Sequence, residues 1–354
     1  MRSVSEPWKD RVLRGSRDGF VETLVSNAAL LRRRIRDPRF SMELYGVGRR
    51  SRSDVAICYI SDSVDQNILN RMRKLIQSID VDALTMNIES LAECMFTHKW
   101  INPFPKFKYS ERPDTATAAI LDGNIVIMVD NSPAVMIIPA SIFDIIEEAD
   151  DFNFSPMIGS YLRITRFFFS IVTWILTPLW LLFVNNPDWV PEFMKFVLIT
   201  DDITVPVLLQ LLILELAVDG LKLAAVNTPT MLSTPLSIVA GIVVGEYAVS
   251  SGWFNPEALL YMAVVTVGTY GQTNFEMGYA FKFLRVLTLI LTQIFNLGGF
   301  IAGVVISVLM IAFNRTITGK SYIYPLIPWD GKMLKRKVLR VRPVSYTHLT
   351  LPTN

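Results

Sequence analysis

No charged residue interrupts positions 167–184, and most of these 18 residues are large and apolar. At about 1.5 Å per helical residue they span roughly 27 Å, close to the thickness of the hydrocarbon core of a bilayer. The longer stretch 167–313 carries only four basic and nine acidic residues, whereas the whole chain carries 34 and 32. We therefore expect a mixed, α+β fold class, with a small cytosolic α/β domain followed by an α-helical, multi-span membrane domain.

The composition excludes several classes of protein. His98 and His348 are too few for a histidine-based metal site, and a serine hydrolase triad would depend on His98 alone. Cys58 and Cys94 cannot supply a zinc cluster or a disulfide framework, and two free thiols fit a reducing compartment. A net charge of +2 is too small to argue for nucleic-acid binding. We expect no nucleic-acid partner, no cofactor, no metal and no enzymatic activity.

Residues 1–150 are predicted to form the soluble domain. Five basic residues and no apolar run within positions 1–17 exclude a cleavable signal peptide, so the domain is expected to stay in the cytosol. Helical spacing of apolar residues predicts helices over 21–35 and 64–79, and a β-rich run lies between them at 55–60.

The second half of this domain predicts further strands. Residues 117–121 and 125–129 flank the sequence Asp-Gly-Asn, which tolerates the positive φ angles of a tight hairpin. A third strand is expected at 134–138, and a short helix at 141–148 closes the domain.

The membrane domain is predicted over residues 160–315. Arg163 and Arg166 precede its first apolar segment, an acidic loop follows that segment, and the predicted cytosolic tail 316–344 is basic. Because positive residues stay on the cytosolic side, the soluble domain and the carboxy terminus should both be inside. The five apolar segments are 167–184, 205–218, 236–249, 258–270 and 286–313.

Because both ends of this part of the chain are expected inside, the number of membrane crossings must be even. One of the five apolar segments therefore does not cross the membrane. Either 205–218 lies in the membrane interface, or 286–313 folds back at its glycine pair. The sequence leaves both alternatives open. The last residues, 345–354, match neither the pattern nor the charge of what precedes them, and we expect them to be non-native, translated cloning sequence.

Three ionisable residues, Glu215, Asp219 and Lys222, share one face of an otherwise apolar helix. At 100° per residue they lie within about 60° of one another. Charged groups inside a membrane usually face a bundle interior, a water-filled path or one another. The stripe therefore predicts either a polar path or pore, or a structural row of salt bridges, or the solvated face of an interfacial helix.

Two Gly-x-x-x-Gly pairs predict helix packing, because the missing side chains let two backbones approach closely. They are Gly241 with Gly245 and Gly299 with Gly303. Glu246 follows the first pair directly, where a carboxyl would be protonated or partnered. The contacts could lie within one subunit or between subunits.

Thr288, Thr292 and Asn296 share one helical face of the last apolar segment. A face of hydroxyl and amide groups can line a narrow aqueous path without a fixed charge. Packing through interhelical hydrogen bonds explains the same spacing equally well.

Several strings in fixed order resemble the A-subunit family of spore germinant receptors. They are VLRGSRDGFVE at 12–22, LLRRRIRD at 30–37, NPFPKFKYSERPD at 102–114 and LDGNIVIMVDNSP at 121–133. The resemblance covers about residues 12–328. Its charged signature residues could pair between subunits or subdomains, or serve only the structure. The signature set is Arg14, Gly15, Arg17, Gly19, Phe20, Glu111, Arg112, Pro113 and Asp114.

The resemblance implies a role in germination of bacterial endospores, a place in the spore's inner membrane and other germination membrane proteins as partners. It also implies assembly into oligomeric ion channels, and a further amino-terminal subdomain that this chain lacks. Our hypothesis is a homo-oligomeric, ion-conducting subunit in contact with membrane lipid. A non-conducting scaffold that recruits other germination proteins is the alternative. The excess of acidic residues in 167–313 would favour cations.

Overall fold

A computed structural model describes residues 6–7, 10–96, 102–201, 204–227 and 241–340, without the side chains of 242–244. These residues form two compact units. The sheet unit comprises the chain up to Ile164 and again from Ile311, and the helical unit is Thr165–Met310. The two histidines, the start of the predicted segment 236–249 and the predicted non-native tail 345–354 lie outside the described residues.

Five antiparallel strands form the centre of the sheet unit: β1 Phe40–Val47, β2 Ser53–Ile60, β3 Lys108–Ser110, β4 Ile125–Val129 and β5 Val135–Ile138. Their order in the sheet is β1-β2-β4-β5-β3. Successive residues of the central strands enter two separate hydrophobic cores, so that Ile57 and Ile127 pack on one face and Cys58 and Val126 on the other. Because both faces are buried, these strands are continuously apolar in sequence rather than alternating.

Helices cover each face of this sheet. α1 Leu24–Arg34 and α4 Pro113–Leu121 pack on one face, and α2 Gln66–Gln77 and α3 Ile88–Met95 on the other. The helices predicted at 21–35, 64–79 and 141–148 and the strands predicted at 55–60, 125–129 and 134–138 are confirmed. Two short helices, α5 Ile142–Ile146 and α6 Asp150–Asn153, follow the last strand.

The strand predicted at 117–121 is wrong, because these residues form the second half of α4. Pro113 begins this helix, where its missing N–H has no intrahelical role, and three alanines follow it. Gly123 ends the helix with φ +86°, and the Asn124 N–H donates to the carbonyl of Ala119 at 2.9 Å, as in a Schellman motif. The positive φ that favoured a hairpin therefore serves a helix end.

The carboxy-terminal segment 311–340 folds onto the sheet unit. α11 Gly331–Val338 is capped by Asp330, whose carboxylate accepts hydrogen bonds from backbone N–H groups of the first turn. Lys337 of α11 pairs with Asp144 of α5. Ile317 enters the core beside α2 and α3. The predicted basic tail 316–344 thus contains a packed helix.

The helical unit is built from most of α7 Pro156–Asn185, together with α8 Val207–Asn227, α9 Pro256–Tyr270 and α10 Phe275–Ala312. Within the described residues, α7 and α10 are the two helices long and apolar enough to cross a membrane, with mean hydropathy 2.1 and 2.3. α8 extends beyond the predicted 205–218 and carries three charged residues. A π-helical segment, Gly241–Tyr247, and one further helical turn precede α9.

α10 reverses direction at Asn296, which has φ 50° and ψ −129°. A Cβ added to Gly299 would lie 1.8 Å from the carbonyl oxygen of Leu291, and one added to Gly303 would lie 2.9 Å from the Cα of Thr288. In an uninterrupted helix Thr288 and Gly303 would be about 22 Å apart along the helix axis. The two arms of α10 therefore form a hairpin. Its reversal lies at Asn296, two residues before the glycine pair at which the sequence offered a fold-back as one of two alternatives. Which apolar segment does not cross the membrane stays a prediction.

Candidate functional site

Five ionisable residues of the helical unit, called here the charge cluster, come together from two helices. α8 supplies Glu215, Asp219 and Lys222, and α10 supplies Lys282 and Arg285. Arg285 Nε lies 2.5 Å from Glu215 Oε1, Lys282 Nζ lies 3.4 Å from Glu215 Oε2, and Lys282 also pairs with Asp219. Each of these carboxylates therefore has a basic partner within the unit.

The charge cluster also binds backbone groups. Arg285 donates to the carbonyl of Thr173 in α7, and Lys282 donates to the carbonyl of Glu215 at 3.1 Å. Glu215 and Arg285 are only 5% and 3% exposed. Because a buried charge left without its partner costs about 3–5 kcal/mol, this pair holds α7, α8 and α10 in one arrangement.

Lys222 is bound differently from the other members. Its ammonium group lies 5.3 Å from the ring centroid of Tyr270 and 5.6 Å from that of Tyr279. A ring face attracts a cation electrostatically without neutralising it. Lys222 therefore adds an ammonium group beside the ion pairs of Glu215 and Asp219.

The charge cluster and the two tyrosines line a cavity of about 110 Å³ in the helical unit. This volume is enough for several water molecules. Two oxygen atoms of its lining, Asp219 Oδ1 and Gln272 Oε1, are buried and have no hydrogen-bond partner among the described residues. The cavity thus combines cationic groups with hydrogen-bond acceptors, a lining that suits water or a hydrated ion.

The predicted stripe of Glu215, Asp219 and Lys222 is on one face and at one site, as its spacing required. Sequence reasoning missed its partners, Lys282 and Arg285. A signal for them exists, because two bases three positions apart in an apolar helix can match two acids four positions apart in another. Glu215 and Asp219 are salt-bridged, as one of the alternatives predicted. A polar path through the cavity stays a prediction.

Thr288 and Thr292 are buried inside the α10 hairpin. Their hydroxyls donate to the carbonyls four residues earlier, each at 2.7 Å, and Thr288 also contacts Gly303. At the hairpin turn, Asn296 and Asn186 exchange two amide hydrogen bonds of 2.6 and 2.8 Å. None of these residues is among the described residues that line the cavity.

The first glycine pair has a different environment from the second. A Cβ on Gly241 or Gly245 would meet no described atom within 4 Å, whereas Gly299 and Gly303 are closely packed. Glu246 is exposed in the same π-helical segment. Contact between the first pair and another helix stays a prediction.

Four signature residues of the sheet unit, Phe20, Glu111, Arg112 and Asp114, make hydrogen bonds within the chain. Arg112, only 1% exposed, donates to Asp114 at 2.5 Å and to the carbonyl of Ser16 at 3.0 Å. The Phe20 N–H donates to the carbonyl of Glu111 at 2.8 Å. Arg112 and Asp114 thus pair with each other, which favours the structural interpretation of these two residues.

The neighbouring signature residues differ in exposure. Gly15 has φ +136°, and a Cβ there would lie 2.8 Å from the Asn153 amide nitrogen. Gly19 is buried, while Arg14 and Arg17 are exposed. Pairing of these two arginines with another subunit stays a prediction.

Asp18 lies within the same string and binds α1. Partial burial alone would raise the pKa of its carboxyl, but hydrogen bonds from Ser16 and Arg34 and the charge of Arg34 lower it overall. Asp18 is therefore ionised at neutral pH and fixes the basic end of α1.

Cofactor chemistry has little material in the described part of the chain. No group of three or more His, Cys, Asp or Glu side chains there could hold a metal ion. Burial raises the pKa of the Cys58 thiol, and the second cysteine, Cys94, is exposed.

A sheet domain and an apolar helical unit with buried charges define a membrane-associated protein of two parts. The chain belongs to the Bacillus/Clostridium GerA spore germination protein family, whose family model matches residues 1–348. It is 38% identical to stage V sporulation protein AF of Bacillus subtilis (strain 168), over 100% of this chain and 73% of that protein. It is 28% identical to spore germination protein GerLA of Bacillus cereus, over 96% of this chain and 69% of that protein.

A solved structure also matches. The crystal structure of the N-terminal domain of the A subunit of the Bacillus megaterium spore germinant receptor GerK3 is 31% identical, with a TM-score of 0.27. The match covers 34% of this chain and 93% of that domain.

The resemblance inferred from the sequence strings is confirmed by the family match. Ser16, Asp18 and the strings YISDSVDQ at 59–66 and TPTMLSTPLSIVAG at 228–241 had indicated the stage V sporulation type within the family. The 38% identity to that protein agrees with this finer assignment.

Proposed function

We propose that this chain is a subunit of a homo-oligomeric, ion-conducting complex in the inner membrane of the bacterial spore, where it acts in germination with other membrane proteins. The observation that carries the proposal is the charge cluster around a cavity inside an apolar unit. Ionisable groups are costly in a bilayer and commonly mark ion or proton paths. Membership of a spore germination family supports the biological setting.

The proposal includes a multi-pass arrangement, with the sheet unit and the carboxy terminus on the cytosolic side. Arg163 and Arg166 lie before the uncharged run of α7, and basic residues fill α11. Positive residues of this kind are retained on the cytosolic side. The hairpin of α10 supports it, because a hairpin returns the chain to the side from which it entered.

Ion flux in liposomes tests conduction directly. We expect the purified protein, reconstituted with entrapped salt, to release ions. We expect Lys222→Met to change the rate, because it removes the ammonium group that lies against the rings of Tyr270 and Tyr279 in the cavity. Lys195→Met is the matched control, since Lys195 is 58% exposed and lies outside the cavity lining. Absence of flux under every activating condition would exclude a channel, and equal rates in both variants would exclude the cavity from the path.

Cation preference belongs to the same proposal. Glu215 and Asp219 have basic partners, so the preference must come from the other acids of the region, of which Glu246 is exposed. Glu246→Gln should move the reversal potential toward zero in a salt gradient. An unmoved potential would remove Glu246 from ion selection.

A non-conducting scaffold is the second candidate function. It is favoured by the internal pairing of Glu215 with Arg285, which is what a purely structural network needs. In spores, a scaffold predicts that weakening the hairpin turn by Asn296→Ala loses partner proteins while ion release per assembled complex stays unchanged. Altered ion release at normal assembly would favour conduction.

A further inference from the structure

The first half of α7 exposes one continuous apolar face. Between positions 156 and 171 every strongly exposed side chain is large and apolar or aromatic. Met157 is 85% exposed and Tyr161 67%. The opposite face is buried and contains Gly159, Arg163 and Ser170. The exposed residues are Met157, Ile158, Tyr161, Ile164, Phe168 and Ile171.

Five of these residues follow the spacing of a coiled coil. Met157, Tyr161, Ile164, Phe168 and Ile171, called here the α7 seam, are separated by four, three, four and three positions. A repeat of seven residues with two apolar positions keeps the seam of one helix against the seam of another in a left-handed supercoil. The spacing therefore indicates a helix partner along the exposed face.

Lipid cannot cover the start of this seam. Met157 precedes Phe167, the first residue of the uncharged run, by ten positions, or about 15 Å of helix. The headgroup layer adds only about 5–8 Å to each side of the hydrocarbon core. With α7 tilted by about 40°, Met157 would still lie roughly 11 Å from Phe167 along the bilayer normal. Met157 and Ile158 therefore face water unless a protein surface covers them.

The arginines of this segment do not oppose contact between identical helices. Arg163 is buried in its own chain, where it binds Glu147 at 2.7 Å and Asp151 at 3.3 Å. Arg166 occupies the heptad position farthest from the seam when Tyr161 and Ile164 are the two apolar positions. Like charges would consequently not meet when two copies approach along this face.

We propose that α7 helices of identical copies of this chain pack against one another along the α7 seam. A seam of this kind is self-complementary, because the same residues meet around a symmetry axis. The proposal rests on the membrane setting and homo-oligomer proposed above, and it assigns the surface through which copies meet. Met157 and Tyr161 form its aqueous end, and Phe168 and Ile171 continue it.

Cysteine cross-linking in native membranes tests the seam. In a Cys94→Ser background, Met157→Cys and Tyr161→Cys should each form a disulfide-linked dimer of two 40.0 kDa chains on oxidation with copper phenanthroline. Leu162→Cys is the matched control, because it lies on the same turn away from the seam and should form far less dimer. Equal cross-linking of the control, no cross-linking at the seam, or a product of another mass would each overturn the proposal.

A second measurement keeps the test independent of any one cysteine. Tyr161→Lys should reduce the detergent-solubilised complex to smaller species by mass, while its circular dichroism spectrum stays that of the folded protein. Phe193→Lys is the control, because Phe193 is 78% exposed and outside the seam. A complex unchanged by Tyr161→Lys contradicts the proposal. Both experiments measure contact between copies, so a failure of ion conduction would leave their outcome intact.

Discussion

Glu215 and Arg285 place opposite charges in the interior of the helical unit, and each buried charge is stabilised by the other. Each desolvated ion is costly alone, and the pair offsets that cost through a short contact and through the further bonds of Lys282 and Thr173. The members of the charge cluster therefore depend on one another for their stabilisation.

Removing one partner of this pair should destabilise the helical unit strongly. We expect Glu215→Gln to lower the free energy of unfolding by about 3–5 kcal/mol, because Arg285 keeps its buried charge. The double variant Glu215→Leu with Arg285→Met should recover much of this loss. Thermal unfolding in detergent measures both, and Glu192→Gln, at a side chain 93% exposed, is the control expected to change little. Additive losses in the double variant would contradict the coupling.

Lys106 predicts a pH dependence in the sheet unit. Its ammonium group lies 5.1 Å from the ring of Phe96 and 5.6 Å from that of Tyr322, and it donates to the carbonyl of Arg315 at 3.1 Å. Burial lowers the pKa of Lys106 from 10.5 to about 8. The folded state therefore binds this proton less tightly than the unfolded state. Below pH 8 the buried charge of Lys106 lowers the free energy of unfolding, and this penalty disappears as the pH rises toward 10.5.

As the pH rises, the wild type should accordingly gain stability relative to Lys106→Met. Melting temperatures recorded from neutral pH to pH 10.5 measure it, within the window set by the two pKa values. Lys320→Met, at a side chain 56% exposed, is the control in which an exposed lysine is removed. A constant difference for Lys106→Met would show that its burial has no such effect.

At the scale of elements, the hairpin of α10 depends on the absence of a side chain at one glycine and not at its neighbour. A Cβ at Gly299 would collide with the backbone of Leu291, whereas a Cβ at Gly298 meets no described atom within 4 Å. The reversal at Asn296 therefore has a steric requirement that two adjacent substitutions can separate.

Gly299→Ala and Gly298→Ala should change stability in opposite directions. The first should lower the melting temperature, because the collision is with backbone that cannot rotate away. The second should raise the free energy of unfolding by about 0.5–1 kcal/mol, since alanine loses less backbone entropy than glycine in a helix. Thermal unfolding of the two variants side by side measures both, and equal effects would contradict the hairpin geometry.

Local sequence patterns predict about half of the sheet unit's elements and only part of the site. Apolar spacing was enough for α1, α2 and β2, because each buries a regular stripe or run. The residues around Gly123 misled the prediction, since a hairpin and a Schellman helix end require the same positive φ. Partners such as Glu215 and Arg285 lie 70 positions apart. Matching spacings of acids and bases are compatible with such a pair, but they do not show that the two helices lie side by side.

At the scale of the whole molecule, the sheet unit is assembled from two distant parts of the chain. Arg163 donates to the carbonyls of Arg336 and Lys337 at 3.2 and 3.0 Å, and Ile142 donates to the carbonyl of Tyr322 at 3.0 Å. The first part, up to Ile164, is consequently incomplete without the residues that follow α10.

Joining the two parts should stabilise the isolated sheet unit. A polypeptide of residues 10–164 connected by a flexible linker to residues 311–340 should unfold at a higher temperature than residues 10–164 alone. Asp144→Asn in the joined form should remove part of the gain, because the carboxylate holds Lys337. Calorimetry measures the difference, and equal unfolding temperatures would show that the carboxy-terminal segment adds no stability.

The reversal of α10 fixes a parity that is independent of how deeply the hairpin enters a bilayer. In the membrane arrangement proposed above, the segments before Phe275 and after Ala312 should emerge at the same surface, whether the arms traverse the bilayer or only enter it. A protease site inserted at Gly271 and another inserted after Phe313 should therefore share one fate in sealed vesicles, with both cut from the outside or both protected.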